Sequence, residues 1–200
     1  MNDIEQVIEE VKVKAKENFI PIVRDKTLQE LLKLVKEKQP KTILEIGTAT
    51  GYSALNMLNV CDGKIIGVEK NDDRADEAQE NFKKAGVKER IVVVTYDALN
   101  VLQDLVQCKE KFDFIFLDGP KGQYIRYFPL IKQILNIEGI LFADNVGVLG
   151  LVDDKTKVTH KNRTMVRNMQ TFLDTLQADE DFETTIYHID DGYAVSILKK

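Results

Sequence analysis

Lys41-Thr-Ile-Leu-Glu-Ile-Gly-Thr-Ala-Thr-Gly-Tyr-Ser53 is the stretch on which the fold turns. Ile43, Leu44 and Ile46 read as a buried strand, which ends in a turn bracketed by Gly47 and Gly51 and runs into a helix. Glycine lets the backbone of such a turn take positive φ and approach a ligand closely. The first N–H groups of the following helix have no intrahelical partner and face whatever sits there. Glu69 closes the next strand about 20 residues on, where an α/β nucleotide-binding fold places the carboxylate that holds ribose hydroxyls. The spacing Gly47-x-x-x-Gly51 is neither the dinucleotide fingerprint nor a phosphate-binding loop with its Gly-Lys-Ser/Thr. A nucleoside ligand without a pyrophosphate fits such a turn better, and S-adenosylmethionine is the expected candidate.

Outward from this stretch, strands and helices alternate. Strands are expected at Thr42–Gly47, Lys64–Glu69, Ile91–Tyr96, Phe112–Asp118 and Ile140–Asn145, mostly runs without polar alternation, as in strands covered on both faces. The clearest helix runs from Asp72 to Ala85, with Ala75, Ala78, Phe82 and Ala85 on one stripe, Asn71 as N-cap and Gly86 as stop. Ahead of Pro40 two helical stripes recur, Ile4, Val7, Ile8, Val11 and Leu28, Leu31, Leu32, Val35, separated by Phe19-Ile-Pro-Ile-Val23. A long helix over His160–Gln177 should turn Val166, Met169, Leu173 and Leu176 inward. Phe182–Ile189 and Tyr193–Leu198 then form a hairpin about Asp190-Asp-Gly192. The whole is an α/β chain: a seven-stranded, mostly parallel sheet with an antiparallel C-terminal strand and helices on both faces. That order resembles the Rossmann-like class I methyltransferase pattern. The 200 residues are expected to form one domain, with N-terminal helices over 1–40 and the α/β core over 41–200.

Composition narrows the function classes. A net charge of −5 argues against non-specific nucleic-acid binding by the whole surface, while leaving room for a local basic patch. Cys61 and Cys108 lack metal-type spacing and suit a reduced, cytoplasmic chain. The charged N-terminus has no hydrophobic signal region, and no apolar run approaches a membrane span.

Ligands of open α/β sheets bind at the carboxyl ends of the strands. Polar residues expected there are Glu45 and Gly47, Glu69, Asp97, Asp118, and Asp144 with Asn145. Asp118, Asp144 and Asn145 follow the apolar runs Phe114–Leu117 and Ile140–Ala143. Two carboxylates placed together repel unless a proton or cation lies between them. Three hard oxygen donors without histidine or thiolate suit Mg²⁺, or Ca²⁺ or Mn²⁺. The same acids would also serve as caps of helices or turns. Lys121, three residues after Asp118, lies over the same strand end. A neighbouring cation would disfavour its ammonium form and make it a candidate base.

Glu45-Ile-Gly-Thr-Ala-Thr-Gly-Tyr-Ser53, Phe116-Leu-Asp-Gly-Pro-Lys121, Ala143-Asp-Asn-Val146 and Asp191-Gly-Tyr-Ala-Val195 together resemble the cation-dependent O-methyltransferases, which include catechol and caffeoyl-CoA O-methyltransferases. The resemblance implies Asp118, Asp144 and Asn145 as ligands of Mg²⁺ or another divalent cation. It makes Lys121, beside Asp118, the group that takes the substrate proton. It also implies an S-adenosylmethionine site built from Glu45, Gly47, Tyr52, Ser53, Glu69, Asp97, Ala98 and Asp118. Gly119 and Pro120 stand where the animal catechol enzyme of the family has a bulkier His-Trp pair, which sets catechol specificity apart from the metal site.

The segment after Asn145, Gly147 to Arg163, is glycine-punctuated and expected to act as a lid. Lys155, Lys157, Lys161, Arg163 and Arg167 outnumber Asp153 and Asp154 there. By composition this is a solvated helix start, or a phosphate-binding patch. Phe19–Val23 and Lys161–Arg167 resemble the bacterial tRNA 5-hydroxyuridine methyltransferases of this family. That likeness implies a tRNA anticodon loop as partner, held partly by Lys161, Arg163 and Arg167. Its wobble base offers a hydroxyl beside a carbonyl. The alternatives are a small catechol-like phenol and, in another class, a non-catalytic S-adenosylmethionine-binding protein; the intact set of Asp118, Lys121, Asp144 and Asn145 weighs against the last. A homodimer through the amphipathic N-terminal helices is also expected.

Overall fold

The computed structural model describes residues 3–148, 150, 152 and 158–200. Two helices come first, α1 (Asp3–Glu17) and α2 (Asp25–Lys38). Their apolar stripes are buried through Val7, Val11 and Ala15 on α1 and Leu28, Leu31 and Val35 on α2. Helix α1 packs on the later helices α3 (Tyr52–Val60) and α4 (Asp72–Lys84). Ile4 and Ile8 of the first stripe and Leu32 of the second are only half-buried. Gln39 ends α2 in a left-handed conformation, its N–H bonded to Val35 O, and Pro40 prevents continuation.

The chain divides into two compact units, Met1–Val101 and Leu102–Lys200. In the first, β1 (Thr42–Ile46), β2 (Lys64–Val68) and β3 (Ile91–Val94) pair in parallel, with Ile43 opposite Ile65 and Ile65 opposite Ile91. Helix α4 follows its expectation closely: the Asn71 side chain accepts from Arg74 N–H at 2.9 Å, Ala75, Ala78 and Phe82 are buried, and Gly86 turns out of the helix at φ 70°. Arg90 ties the end of α3 to the start of β2 by donating to the carbonyls of Leu58, Cys61 and Gly63. Helix α5 (Ala98–Gln107) carries the chain across the boundary between the units.

In the second unit, β4 (Phe112–Leu117) leads through a single 3-10 turn at Lys121–Gln123 into α6 (Tyr124–Ile134). There follow β5 (Leu135–Asp144), α7 (Arg163–Ala178), β6 (Phe182–Tyr187) and β7 (Tyr193–Leu198). Strands β4 and β5 are parallel, while β7 runs antiparallel to both β5 and β6. The full strand order is β3-β2-β1-β4-β5-β7-β6, the seven-stranded mixed sheet expected.

Several limits differ from expectation. β3 stops at Val94 and β6 at Tyr187. β5 begins five residues early, at Leu135, although Glu138 takes φ 62° and the pairing with β4 shifts register there. Helix α7 starts at Arg163 rather than His160, because the Asn162 side chain accepts from Thr159 N–H and holds a turn ahead of it. The inward stripe of α7 is as expected, and Phe172 joins it. Of the expected lid, Leu149, Leu151, Asp153, Asp154, Lys155, Thr156 and Lys157 lie outside the described residues.

Candidate active site

The first unit builds a polar cradle from the ends of three parallel strands. Gly47 (φ 99°), Ala49 (φ 47°) and Gly51 (φ 89°) form the turn after β1, and the N–H groups of Gly47 and Thr48 both donate to Val68 O at the end of β2. A Cβ on Gly51 would lie 2.6 Å from the Phe82 ring, so this glycine exists as much for helix packing as for a ligand. Gly67 likewise leaves room for Thr48, whose Oγ1 would be 2.5 Å from an added Cβ. Thr48 and Thr50 have buried hydroxyl oxygens without a hydrogen-bond partner among the described residues.

Glu69 is the hinge of this cradle. One carboxylate oxygen accepts from Ala49 N–H in the turn and the other from Asn71 N–H at the head of α4, each at 2.9 Å. Each oxygen keeps a second lone pair, so a ribose diol could be added without breaking these bonds. Asp97 lies in the loop between β3 and α5, accepts from Leu99 N–H at 3.0 Å and pairs with the exposed Lys70 at 3.1 Å; Ala98 opens α5. Glu45 is fully buried and takes a short hydrogen bond from Ser53 Oγ, which joins β1 to the first turn of α3. Tyr52 opens α3, its side chain is buried beside the Lys12–Asp25 ion pair, and burial raises its pKa.

The second unit brings Asp118, Lys121, Asp144 and Asn145 together. Lys121 Nζ donates to Asp118 Oδ1 at 2.6 Å. Asp144 is 1% exposed; its Oδ1 accepts from Asn145 N–H at 2.7 Å, and its buried Oδ2 has no hydrogen-bond partner among the described residues. Burial first, then the charge of Asp118, push the Asp144 carboxyl up to about 7, and Asp191 in the β6–β7 hairpin adds to the repulsion. Asn145 adopts φ 53°, a left-handed conformation that asparagine tolerates. The next two residues are pinned to the hairpin by Val146 N–H to Gly192 O and Gly147 N–H to Asp191 O. An orphaned, buried carboxylate oxygen beside a second carboxylate and an amide fits a hard divalent cation, which would replace the missing partner and neutralise the repulsion.

Two participants are not legible as site residues in the sequence pattern. Asp191 is a turn residue by composition. Tyr124, fully buried, sets its hydroxyl 2.9 Å from Lys121 Nζ, 2.9 Å from Leu117 O and 3.1 Å from Asp144 O. The only signal for it is its position three residues after Lys121, on the same side of a helical turn. Lys161, Arg163 and Arg167 are exposed at the start of α7, and none pairs with a carboxylate among the described residues.

Solved structures place this arrangement in the class I methyltransferase fold. An O-methyltransferase from Bacillus cereus in complex with S-adenosylhomocysteine superposes with a TM-score of 0.87 at 27% identity, covering 97% of this chain and 91% of that one. The model of the O-methyltransferase family matches residues 2–199, and the chain belongs to that family. A catechol O-methyltransferase from Niastella koreensis is 31% identical over 80% of this chain and 75% of its own length. A flavonoid 3',5'-methyltransferase from Vitis vinifera is 31% identical over 88% of this chain and 77% of its own length. The protein is an S-adenosylmethionine-dependent O-methyltransferase of the caffeoyl-CoA and catechol type. Among the described residues, no helix is long and apolar enough to cross a membrane.

Proposed function

We propose that this enzyme methylates a hydroxyl flanked by a second oxygen, with Asp118, Asp144 and Asn145 holding a divalent cation, Mg²⁺ by preference. The observation that carries this reading is the buried Asp144 Oδ2, without a hydrogen-bond partner among the described residues, next to Asp118. When bound, the cation supplies Lewis acidity toward the two substrate oxygens, and the sulfonium cofactor supplies the methyl group. Glu69 binds the cofactor ribose, while the Gly47–Ser53 turn and the Asp97–Ala98 corner enclose the rest. Lys121 Nζ takes the hydroxyl proton, held for it by Asp118. Fixing both reactants removes much of the entropic part of the barrier, up to about 7–11 kcal/mol in the best cases.

For the substrate we infer 5-hydroxyuridine at the tRNA wobble position. Its hydroxyl and adjacent carbonyl match a two-oxygen acceptor, and an anticodon loop presents the base unstacked. Lys161, Arg163 and Arg167, exposed at the head of α7, supply charge for the phosphates. A small catechol-like phenol is the second reading, favoured by the similarity to a catechol O-methyltransferase and a flavonoid methyltransferase. Incubation with labelled cofactor and Mg²⁺ against undermodified tRNA and a catechol panel separates the two. Label in tRNA alone supports the first, and label in catechols with none in tRNA overturns it.

A further inference from the structure

We infer that Tyr124 is a positioning residue for Lys121: its phenol oxygen, together with Asp118, fixes where the Lys121 nitrogen stands. This rests on the reading of Lys121 as the group that takes the substrate proton.

The argument is a count of donors and acceptors. A phenol has one proton and two lone pairs. Tyr124 Oη lies 2.9 Å from Leu117 O and 3.1 Å from Asp144 O, the carbonyls of the residues that end β4 and β5. Both are acceptors, so the phenol proton is committed to the backbone. The third neighbour, Lys121 Nζ at 2.9 Å, must therefore be the donor, and Tyr124 accepts from it. Asp118 Oδ1, at 2.6 Å, is the second acceptor for the same nitrogen. Two N–H bonds directed at Asp118 and Tyr124 fix the place of the nitrogen at the end of an otherwise flexible side chain. Because its own proton is held by the carbonyls, Tyr124 can only accept from Lys121, so the contact has one sense.

The ring is held independently of its hydroxyl. Tyr124 is fully buried at the head of α6 and meets Phe172 of α7 edge-to-face at 5.5 Å. Tyr124→Phe removes one oxygen and leaves that packing intact.

The test is a double-mutant cycle of Tyr124→Phe and Lys121→Met, with the substrate that the tRNA-versus-catechol assay selects. Tyr124→Phe is expected to lower kcat roughly 10- to 100-fold, the scale of a misaligned general base, with unchanged cofactor affinity by calorimetry and unchanged Mg²⁺ dependence. In the Lys121→Met background the same change is expected to cost nothing further, since the group it orients is gone. Equal losses in both backgrounds, unfolding of Tyr124→Phe, or a loss confined to cofactor or Mg²⁺ affinity would each assign the hydroxyl a purely structural role and overturn the inference. So would unchanged kcat in Tyr124→Phe alongside a large loss in Lys121→Met. Full kcat in Lys121→Met would instead remove the underlying reading of Lys121 as base.

Discussion

Replacing Asp144 by Asn should stabilise the metal-free protein while abolishing its turnover. Asp144 is almost wholly buried, one of its oxygens has no hydrogen-bond partner among the described residues, and its carboxyl is raised from 3.8 to about 7 by burial and by Asp118. A carboxyl whose folded pKa lies above its unfolded value costs stability as pH rises between the two values. The penalty is absent below about pH 4, grows through the window and is complete above about pH 7. At 1.36 kcal/mol for each tenfold change in proton affinity, it reaches roughly 4 kcal/mol as an upper value. Asn is neutral throughout and offers Asp118 an amide donor in place of a like charge. Urea unfolding in chelator at pH 5 to 8 should therefore show Asp144→Asn gaining on the parent as pH rises. The gain in Tm at pH 8 should approach about 8–15 °C for a chain of this size. Mg²⁺ should stabilise the parent at pH 8 and leave the variant nearly unmoved, because the parent alone has a charge for it to neutralise. A variant no more stable than the parent at pH 8 in chelator would refute the picture of a strained carboxylate awaiting a cation.

Further outcomes follow from the same geometry. Glu69→Ala removes the acceptor of both Ala49 N–H and Asn71 N–H as well as the proposed ribose contact; cofactor affinity should fall at least tenfold by calorimetry, and an unchanged Kd rules out Glu69 as the ribose ligand. Gly51→Ala places a Cβ 2.6 Å from the Phe82 ring at φ 89° and should cost about 2 kcal/mol or more in urea unfolding; a loss below about 0.5 kcal/mol contradicts the packing described. Arg163→Ala combined with Arg167→Ala should raise the KM for tRNA and flatten its salt dependence, by roughly 0.7 in log–log slope for each phosphate no longer neutralised, while leaving catechol turnover unchanged. Identical tRNA kinetics at every salt concentration would make the patch plain solvated surface. Chelator should abolish turnover and Mg²⁺ restore it; full activity in EDTA excludes cation assistance.

Local pattern was enough for the elements whose stability is local. The β-branched runs of β1 and β2, the aromatic run of β4, the Asn71 cap and Gly86 stop of α4, and the inward stripe of α7 are all written in neighbouring residues, and the structure follows them. The strand-end positions of Glu69, Asp118 and Asp144 were legible for the same reason: each polar residue closes an apolar run, and a polar group there marks where a strand leaves the core. Other features depended on partners distant in sequence. The first half of β5 contains Asn136, Glu138 and Gly139, poor strand residues, and only pairing of Leu135 with Phe112 makes it a strand. The neighbours of the Tyr52 side chain, Lys12 and Asp25 on the two N-terminal helices, are likewise far away along the chain. Tyr124 acquires its role only because β4 and β5 are neighbours and set two backbone carbonyls within reach of one hydroxyl. The sequence alone therefore determined the class of fold and the chemical types at its strand ends. Tertiary structure decided which of those groups meet, since hydrogen bonding and charge repulsion act over a few ångströms of space whatever the separation along the chain.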